Sequence, residues 1–303
     1  MKIALWSINF ARQISAVNDW LVLLEEQLKT ASQQQVQLLI LPEYLSEHFL
    51  SFAPKALSAK QEIPWMAQQC VDLIEPIEQL ANKFQIAILA GTIPVAVEAT
   101  ENSESLEHVN RSYFFRPDAA PIFQDKLCLT PSEQQPQAWC LTPGKGIQLI
   151  QWQGVKIAIL ICLDIEMPAL SVLLAPLDID LILVPSMTSK PAGYYRVFGC
   201  AKARAVELQT AVAVVGPIGQ AGGESLNRTK FSSAAAIYQP CEESLAHNGV
   251  IEETCVSCDK AVGTLACELL INSIDIQKIR QLRHGGAEVW PGGWSASHVE
   301  VIE

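Results

Sequence analysis

Two kinds of hydrophobic pattern alternate along this chain. Short unbroken apolar runs are separated by longer stretches in which apolar residues recur every three or four positions. "KIALWSINF", "VQLLILPE", "QIAILAGTIPV", "LDIDLILVPS" and "TAVAVVGPIG" are of the first kind and predict buried strands, the second of them stopped by Pro42. "ISAVNDWLVLLEEQLKTASQQQ" is of the second kind and puts Ile14, Val17, Leu21, Leu24 and Leu28 on one helical face. "IPWMAQQCVDLIEPIEQLANKF" reads as helix that Pro76 breaks or kinks. "YYRVFGCAKARAVELQ" and "IQKIRQLR" are further helices, and Arg204 and Glu207 are spaced for an ion pair across one turn.

Between these elements, "EATENSESLEHVNRS" reads as a surface loop. "YFFRPDAAPIFQDK" predicts two strands joined at Pro-Asp, and "GIQLIQWQGVKIAILIC" predicts a hairpin entering a central strand. "SSAAAIYQPCEES" and "GTLACELLINSID" add later strands. The order predicts an α/β fold whose sheets are covered on at least one face by helices. The hairpin joints exclude an all-parallel sheet, and neither G-x-G-x-x-G after the first strand nor G-x-x-x-x-G-K-[ST] occurs. One domain over residues 1–303 is expected. It carries a C-terminal extension from about His284, marked by the Gly and Trp residues of "HGGAEVWPGGWSASHVEVIE".

Charge narrows the partners. The net charge is −11 with no block of Lys or Arg, which argues against nucleic acid and anionic membrane surfaces. "MKIALWSINFARQ" is too short in its apolar run for a signal peptide, and no apolar run reaches the roughly 18 residues a membrane span needs. A cytoplasmic location is expected. The cysteines number nine, which together with the chain length suits a set of reduced thiols. Cys255 and Cys258 form a C-x-x-C pair, but no second pair and no close His pair accompany it. No metal and no cofactor are expected.

Three strand ends carry a reactive side chain of a different type: Glu43 after "LLILP", Lys126 after "PIFQD" and Cys162 after "IAILI". Sites in α/β proteins gather at the carboxyl ends of strands. A thiol is a good nucleophile as thiolate, which a nearby cation and a helix N-terminus favour; "MPALSVLLAP" supplies a helix candidate just beyond Cys162. A carboxylate can take and return its proton, and a lysine with the backbone N–H of Leu163 can hold an oxyanion. Asp164 is placed to cap the helix that follows. Tyr194 and Tyr195, expected in the loop after "VPSMTSKPAG", and Met187 within that stretch are candidates to line the pocket.

"LLILPEYL", "DKLCLTPSE" and "IAILICLDIEMP", in that order, resemble the Glu–Lys–Cys motifs of the nitrilase, or carbon–nitrogen hydrolase, superfamily. The likeness covers almost the whole chain, with "GTIPV" and "CAKARAVELQTAVAVV" resembling further segments. The resemblance implies a four-layer αββα sandwich with mixed sheets that pairs into at least a homodimer. It implies Glu43 as base and acid, Lys126 as oxyanion donor, Cys162 as nucleophile, and Glu133 in "LTPSE" as the glutamate that orients the lysine and the substrate. The implied activity is hydrolysis of a small amide, an ω-amide or an N-carbamoyl compound through a thioester. The alternatives are acyl transfer to an amine and a non-catalytic binding relative. The usual cysteine motif, C-Y-D-x-R-F-P, reads "CLDIEMP" here, with Leu163 for the tyrosine and Glu166 for the arginine. That departure bears on substrate preference. The residues after Cys162 also lack the Trp-Glu of true nitrilases, which favours amides over nitriles. The glycine of the late G-x-S strand is missing from "KFSSAAAIY".

Overall fold

The computed structural model describes residues 1–55, 57–98, 106–219, 231–254, 268–288 and 299–302. The Cys255–Cys258 pair, and the tail from 289 to 298, lie outside the described residues.

Two mixed sheets carry the fold. The first has the order β13 (Leu269–Ser273), β1 (Lys2–Trp6), β2 (Leu38–Ile40), β3 (Ala87–Leu89), β5 (Leu106–Arg116) and β4 (Ile93–Glu98), with β6 (Ala119–Asp125) also on β5. The second has the order β12 (Val250–Glu253), β11 (Ala235–Tyr238), β10 (Ala211–Val215), β9 (Leu181–Pro185), β8 (Val155–Ile159) and β7 (Leu149–Trp152). Side chains alternate across the first sheet with the period of two that strands impose. Ile3, Leu5, Leu38, Ile40, Leu89 and Phe114 join Ile157, Ile159, Leu181 and Leu183 in one cluster between the sheets. Their chain neighbours Ala4, Trp6, Leu39, Ile88 and Phe115 turn the other way, onto the helices. This is why the apolar runs are continuous rather than alternating: both faces of the central strands β1, β2, β3, β9 and β10 are buried.

α1 (Val17–Gln33) and α3 (Ile74–Phe84) cover the first sheet through Trp20, Leu24, Leu28, Ile77 and Ala81. The buried stripe of α1 is centred on Trp20, Leu24, Gln27, Leu28 and Ala31, rotated from the expected Val17–Leu21 line, because Trp20 offers the larger apolar surface. Ile14 is buried but precedes the helix. α2 (Ala59–Cys70) ends in a 3-10 turn over Val71–Leu73, so the break falls just ahead of Pro76. α6 (Pro191–Glu207) covers the second sheet with Val197, Phe198, Ala201 and Ala205, and the expected Arg204–Glu207 pair forms at 2.8 Å. α7 (Ile276–His284) contributes Ile276 and Ile279. Among the described residues no helix is long and apolar enough to cross a membrane.

Two expectations change. "QIAILAGTIPV" is two strands, not one, because Gly91 at φ +52° turns the chain between β3 and β4. And "LEHVNRS" is not loop but the first half of β5, paired along β4 from Ile93↔Arg111 to Glu98↔Leu106. The two hairpins are as expected. β5 and β6 join at Asp118 (φ +56°), and β7 and β8 join at Gln153 and Gly154, both with positive φ, the geometry of a tight two-residue hairpin turn.

β1, β2 and β3 run parallel, and β6, antiparallel to a strand that is antiparallel to β3, runs the same way. β8, β9 and β10 are also parallel to one another. The chain therefore leaves β2 and β6 at one end of the first sheet, and β8 and β9 at one end of the second.

Candidate active site

Glu43 follows β2 across Pro42. The Glu43 N–H donates to the Ser186 carbonyl at 3.2 Å, which joins the end of one sheet to the end of the other. Tyr44, at φ +51°, turns the chain sharply, and its N–H donates to Thr92 Oγ1 at 2.8 Å. The carboxylate is buried, and its Oε1 accepts from Lys126 Nζ at 2.8 Å and from Asn110 Nδ2 at 3.0 Å. The Cys162 side chain also hydrogen-bonds with this carboxylate and favours its charged form.

Lys126 follows β6, held by its own N–H to the Asn110 carbonyl at 2.9 Å. Its ammonium is buried and stands 2.8 Å from both oxygens of Glu133 as well as from Glu43. An ammonium has three protons to give, and these contacts engage them all. Glu133 sits on the short α4 (Pro131–Gln134), where it closes a capping box: its Oε2 accepts from Thr130 N at 2.7 Å and from Thr130 Oγ1 at 2.8 Å. The Tyr44 hydroxyl donates to its other oxygen. With these donors and Lys126, Glu133 is saturated; it serves as counter-ion to the lysine and has no lone pair left for substrate.

Cys162 ends the run from β8 at φ +47°, a left-handed conformation that side chains other than glycine's enter at a cost. It opens a 3-10 turn, Cys162–Glu166, and α5 (Pro168–Leu174) begins only after it. The Sγ lies 3.8 Å from the Met187 carbonyl, and the Ser186 hydroxyl donates to it at 3.6 Å. Leu163 falls in the first turn of that 3-10 helix, where backbone N–H groups lack intrahelical acceptors.

Charge is unbalanced here: one lysine faces two carboxylates, all three buried. Burial, with Glu133 adding to it, lifts Glu43 to about 7 against the pull of Lys126. Burial also opposes ionisation of Glu133, but Lys126 holds its carboxyl below the usual range. Burial works against the ammonium as well, yet Glu43 and the other anionic groups push Lys126 up. Burial first, then Glu43, push the Cys162 thiol well above an ordinary cysteine. The resting group is therefore a neutral thiol beside a carboxylate that titrates near neutrality. The expected helix N-terminus does not stabilise a thiolate, since α5 starts at Pro168.

The structure thus brings Glu43, Lys126, Glu133, Cys162, Leu163 and Met187 together. It does not bring the two tyrosine hydroxyls there. α6 starts at Pro191, three residues ahead of the expected helix, so both tyrosines lie inside the helix and not in a loop. Tyr194 donates to Glu253 Oε1 at 2.6 Å, and Tyr195 is 70 % exposed. Asp164 caps no α-helix; it accepts from Ile161 N, Cys128 N and Leu127 N. Asn110 and Ser186 join the site with no motif in the sequence to mark them. Among the described residues no group of three metal-ligating side chains occurs.

A sequence model of the carbon-nitrogen hydrolase family matches residues 8–284. The chain belongs to that family. Among curated relatives, a probable hydrolase, YhcX, of Bacillus subtilis (strain 168) is 27% identical over 262 residues, covering 86% of this chain and 47% of its own. An (R)-stereoselective amidase of Pseudomonas sp is 32% identical over 118 residues, 39% of this chain and 40% of its own. The matches cover about half or less of these relatives' own length. Among solved structures, Nit3 of Saccharomyces cerevisiae, a member of branch 10 of the nitrilase superfamily, superposes with a TM-score of 0.67 at 20% identity, over 94% of this chain and 93% of its own. An amidase from Nesterenkonia sp. AN1, carrying the acetamide moiety of fluoroacetamide on its active-site cysteine, superposes at 0.62 and 20% identity, over 93% and 92%. The fold is that of the nitrilase superfamily: two mixed sheets between helical layers.

Proposed function

We propose that this carbon-nitrogen hydrolase cleaves a small amide, an ω-amide or an N-carbamoyl compound through a thioester on Cys162. The observation that carries the reading is that three strand ends, far apart in sequence, deliver Glu43, Lys126 and Cys162 to one buried point with Lys126 bonded to Glu43. The related amidase with an adduct on its cysteine supports the same choice of nucleophile.

The reaction starts from the neutral thiol. Glu43 takes the Cys162 proton on Oε2 as Sγ bonds to the amide carbon. Protonated Glu43 holds Lys126 less strongly, which frees one N–H to turn to the oxyanion while Glu133 keeps the ammonium in place. The Leu163 N–H is the second donor. Glu43 then gives its proton to the leaving nitrogen as the C–N bond breaks, and a thioester remains. Water attacks the thioester with Glu43 as base, the C–S bond breaks, and the carboxylic acid leaves as the thiol is restored. Losing one oxyanion donor costs about 3–4 kcal/mol in such reactions.

Ammonia release from a panel of small amides tests this. Wild type is expected to turn over at least one of them and to show a thioester adduct on Cys162 by intact mass, while Cys162→Ala does neither. Turnover retained by Cys162→Ala overturns the reading. The chain is further proposed to form a homodimer through α5 and α6, where Val172, Leu173 and Tyr195 are exposed at 69%, 61% and 70%. A monomer mass by light scattering at micromolar concentration speaks against it.

A further inference from the structure

Asn110 has no role in the resemblance by which the other residues were found, yet its side chain touches the base. It lies on β5, fully buried, and donates from Nδ2 to Glu43 Oε1 at 3.0 Å. Its backbone carbonyl accepts from Lys126 N, so the same residue also fixes where the lysine leaves the sheet. Among the described residues its buried Oδ1 has no hydrogen-bond partner. Such an orphaned oxygen costs free energy, and proteins seldom retain one without a use for the group that carries it. Turning the amide over would set Oδ1 against a carboxylate oxygen and orphan Nδ2 instead, so the bond to Glu43 dictates the orientation.

The two donors on Oε1 differ in what the reaction asks of them. Lys126 must release Glu43 to reach an oxyanion; Asn110 has no second task. We propose that Asn110 is the positioning residue of the base: its amide anchors Glu43 Oε1 through the whole cycle and so assigns proton exchange with Cys162 to Oε2. The proposal rests on the reading of Glu43 as base. The groups facing Glu43 are Lys126 from the end of β6, Glu133 from α4 and Cys162 from the turn after β8, with Tyr44 and Glu47 from its own segment. Of the two hydrogen-bond donors on Oε1, Asn110 is the uncharged one, so its removal leaves the count of charges around Glu43 unchanged.

A test needs no substrate. Iodoacetamide alkylation of Cys162, followed by peptide mapping across neutral pH, reports Glu43 because the neutral thiol reacts as the base takes its proton. Asn110→Leu keeps the branched shape of the side chain and removes both the donor and the orphan; Asn110→Ala removes the bulk as well. Loss of a hydrogen bond to the charged carboxylate raises its pKa, so both variants are expected to move the alkylation midpoint up by about one pH unit. The rate below the midpoint falls roughly tenfold with it. A midpoint unmoved in Asn110→Leu overturns the proposal. So does a drop of more than about ten degrees in its melting temperature, which makes Asn110 a structural residue. The parent reading fails on a separate measurement, amide turnover by Cys162→Ala.

Discussion

Asp164 Oδ1 accepts the backbone N–H of Cys128 at 2.7 Å. The same buried carboxylate accepts from Ile161 N at 3.0 Å and from Leu127 N at 3.2 Å. One side chain thus ties the turn that presents Cys162 to the loop that leaves Lys126, across the two sheets. Asp164→Ala leaves three backbone donors without that acceptor. A loss of about 3 kcal/mol in stability is expected, at the scale of hydrogen bonds to a charged group. Turnover is expected to fall about a hundredfold, because displacements near 1 Å have that effect. Urea unfolding and ammonia release, measured where the variant is still folded, check both. Values within twofold of wild type leave Asp164 without this role.

Glu43 makes the fold pay at high pH. Its ordinary value of 4.5 is raised to about 7 in the folded chain, so the native state holds a proton that the unfolded state has given up between those pH values. Its stabilising contribution is complete below pH 4.5 and is lost as pH rises through about 7, a change of roughly 3 kcal/mol. Glu43→Gln removes the excess charge beside Glu133 and keeps an acceptor for Asn110 and Lys126. The variant is expected to be inactive yet to melt higher than wild type at pH 8, with the gap closing near pH 5. Thermal melts of both proteins across that range decide it; a variant that melts lower at every pH contradicts the charge argument.

Glu166 stands where the family motif usually has arginine, and its Oε2 accepts from Arg196 Nε of α6 at 3.0 Å. The cation is now on the helix and the anion on the turn. The arginine side chain is 62% exposed, and exposed pairs contribute under about 1 kcal/mol. Glu166→Ala is therefore expected to leave stability within that margin and the ranking of amide substrates unchanged. A reordered substrate panel would give Glu166 the selective role that its departure from the motif suggests.

Glu43 and Cys162 were legible because each ends an apolar run buried on both faces, and Lys126 because it ends the second strand of a hairpin marked by Pro-Asp. Asn110 was not, for a physical reason. Along β5 the buried face reads Asn110, Ser112, Phe114, polar next to the site and apolar away from it. With Glu107 and Arg111 among the residues of the other face, the first half of the strand looks like a loop. The signal that was available is the period of two leading into Phe114. Tyr194 and Tyr195 were misplaced by a missed helix start, although Pro191 marks it: proline suits a first helical position, where its absent N–H costs nothing. The left-handed turns at Tyr44 and Cys162 had no signal in residue type, since neither is a glycine or asparagine.

Gly91 does carry such a signal, and it controls Glu43 from the neighbouring strand. Its φ of +52° makes the corner between β3 and β4, and a Cβ there would lie 1.9 Å from the Pro42 carbonyl oxygen. That carbonyl is the peptide immediately before Glu43. The corner also supplies Thr92, whose hydroxyl and carbonyl accept from Tyr44 N and Leu45 N. Gly91→Ala must therefore push the Pro42–Leu45 turn away and strain its own backbone, and backbone neighbours cannot swing aside as a side chain would. A destabilisation of about 2–4 kcal/mol is expected, the sum of a strained φ and a forced shift. The base moves with the turn, so at temperatures where the variant is folded its turnover should fall by more than about a hundredfold. Alkylation of Cys162 by iodoacetamide should slow in parallel, because Glu43 no longer meets the thiol. Full activity in a folded Gly91→Ala variant would mean that the turn bearing Glu43 is not held by this corner.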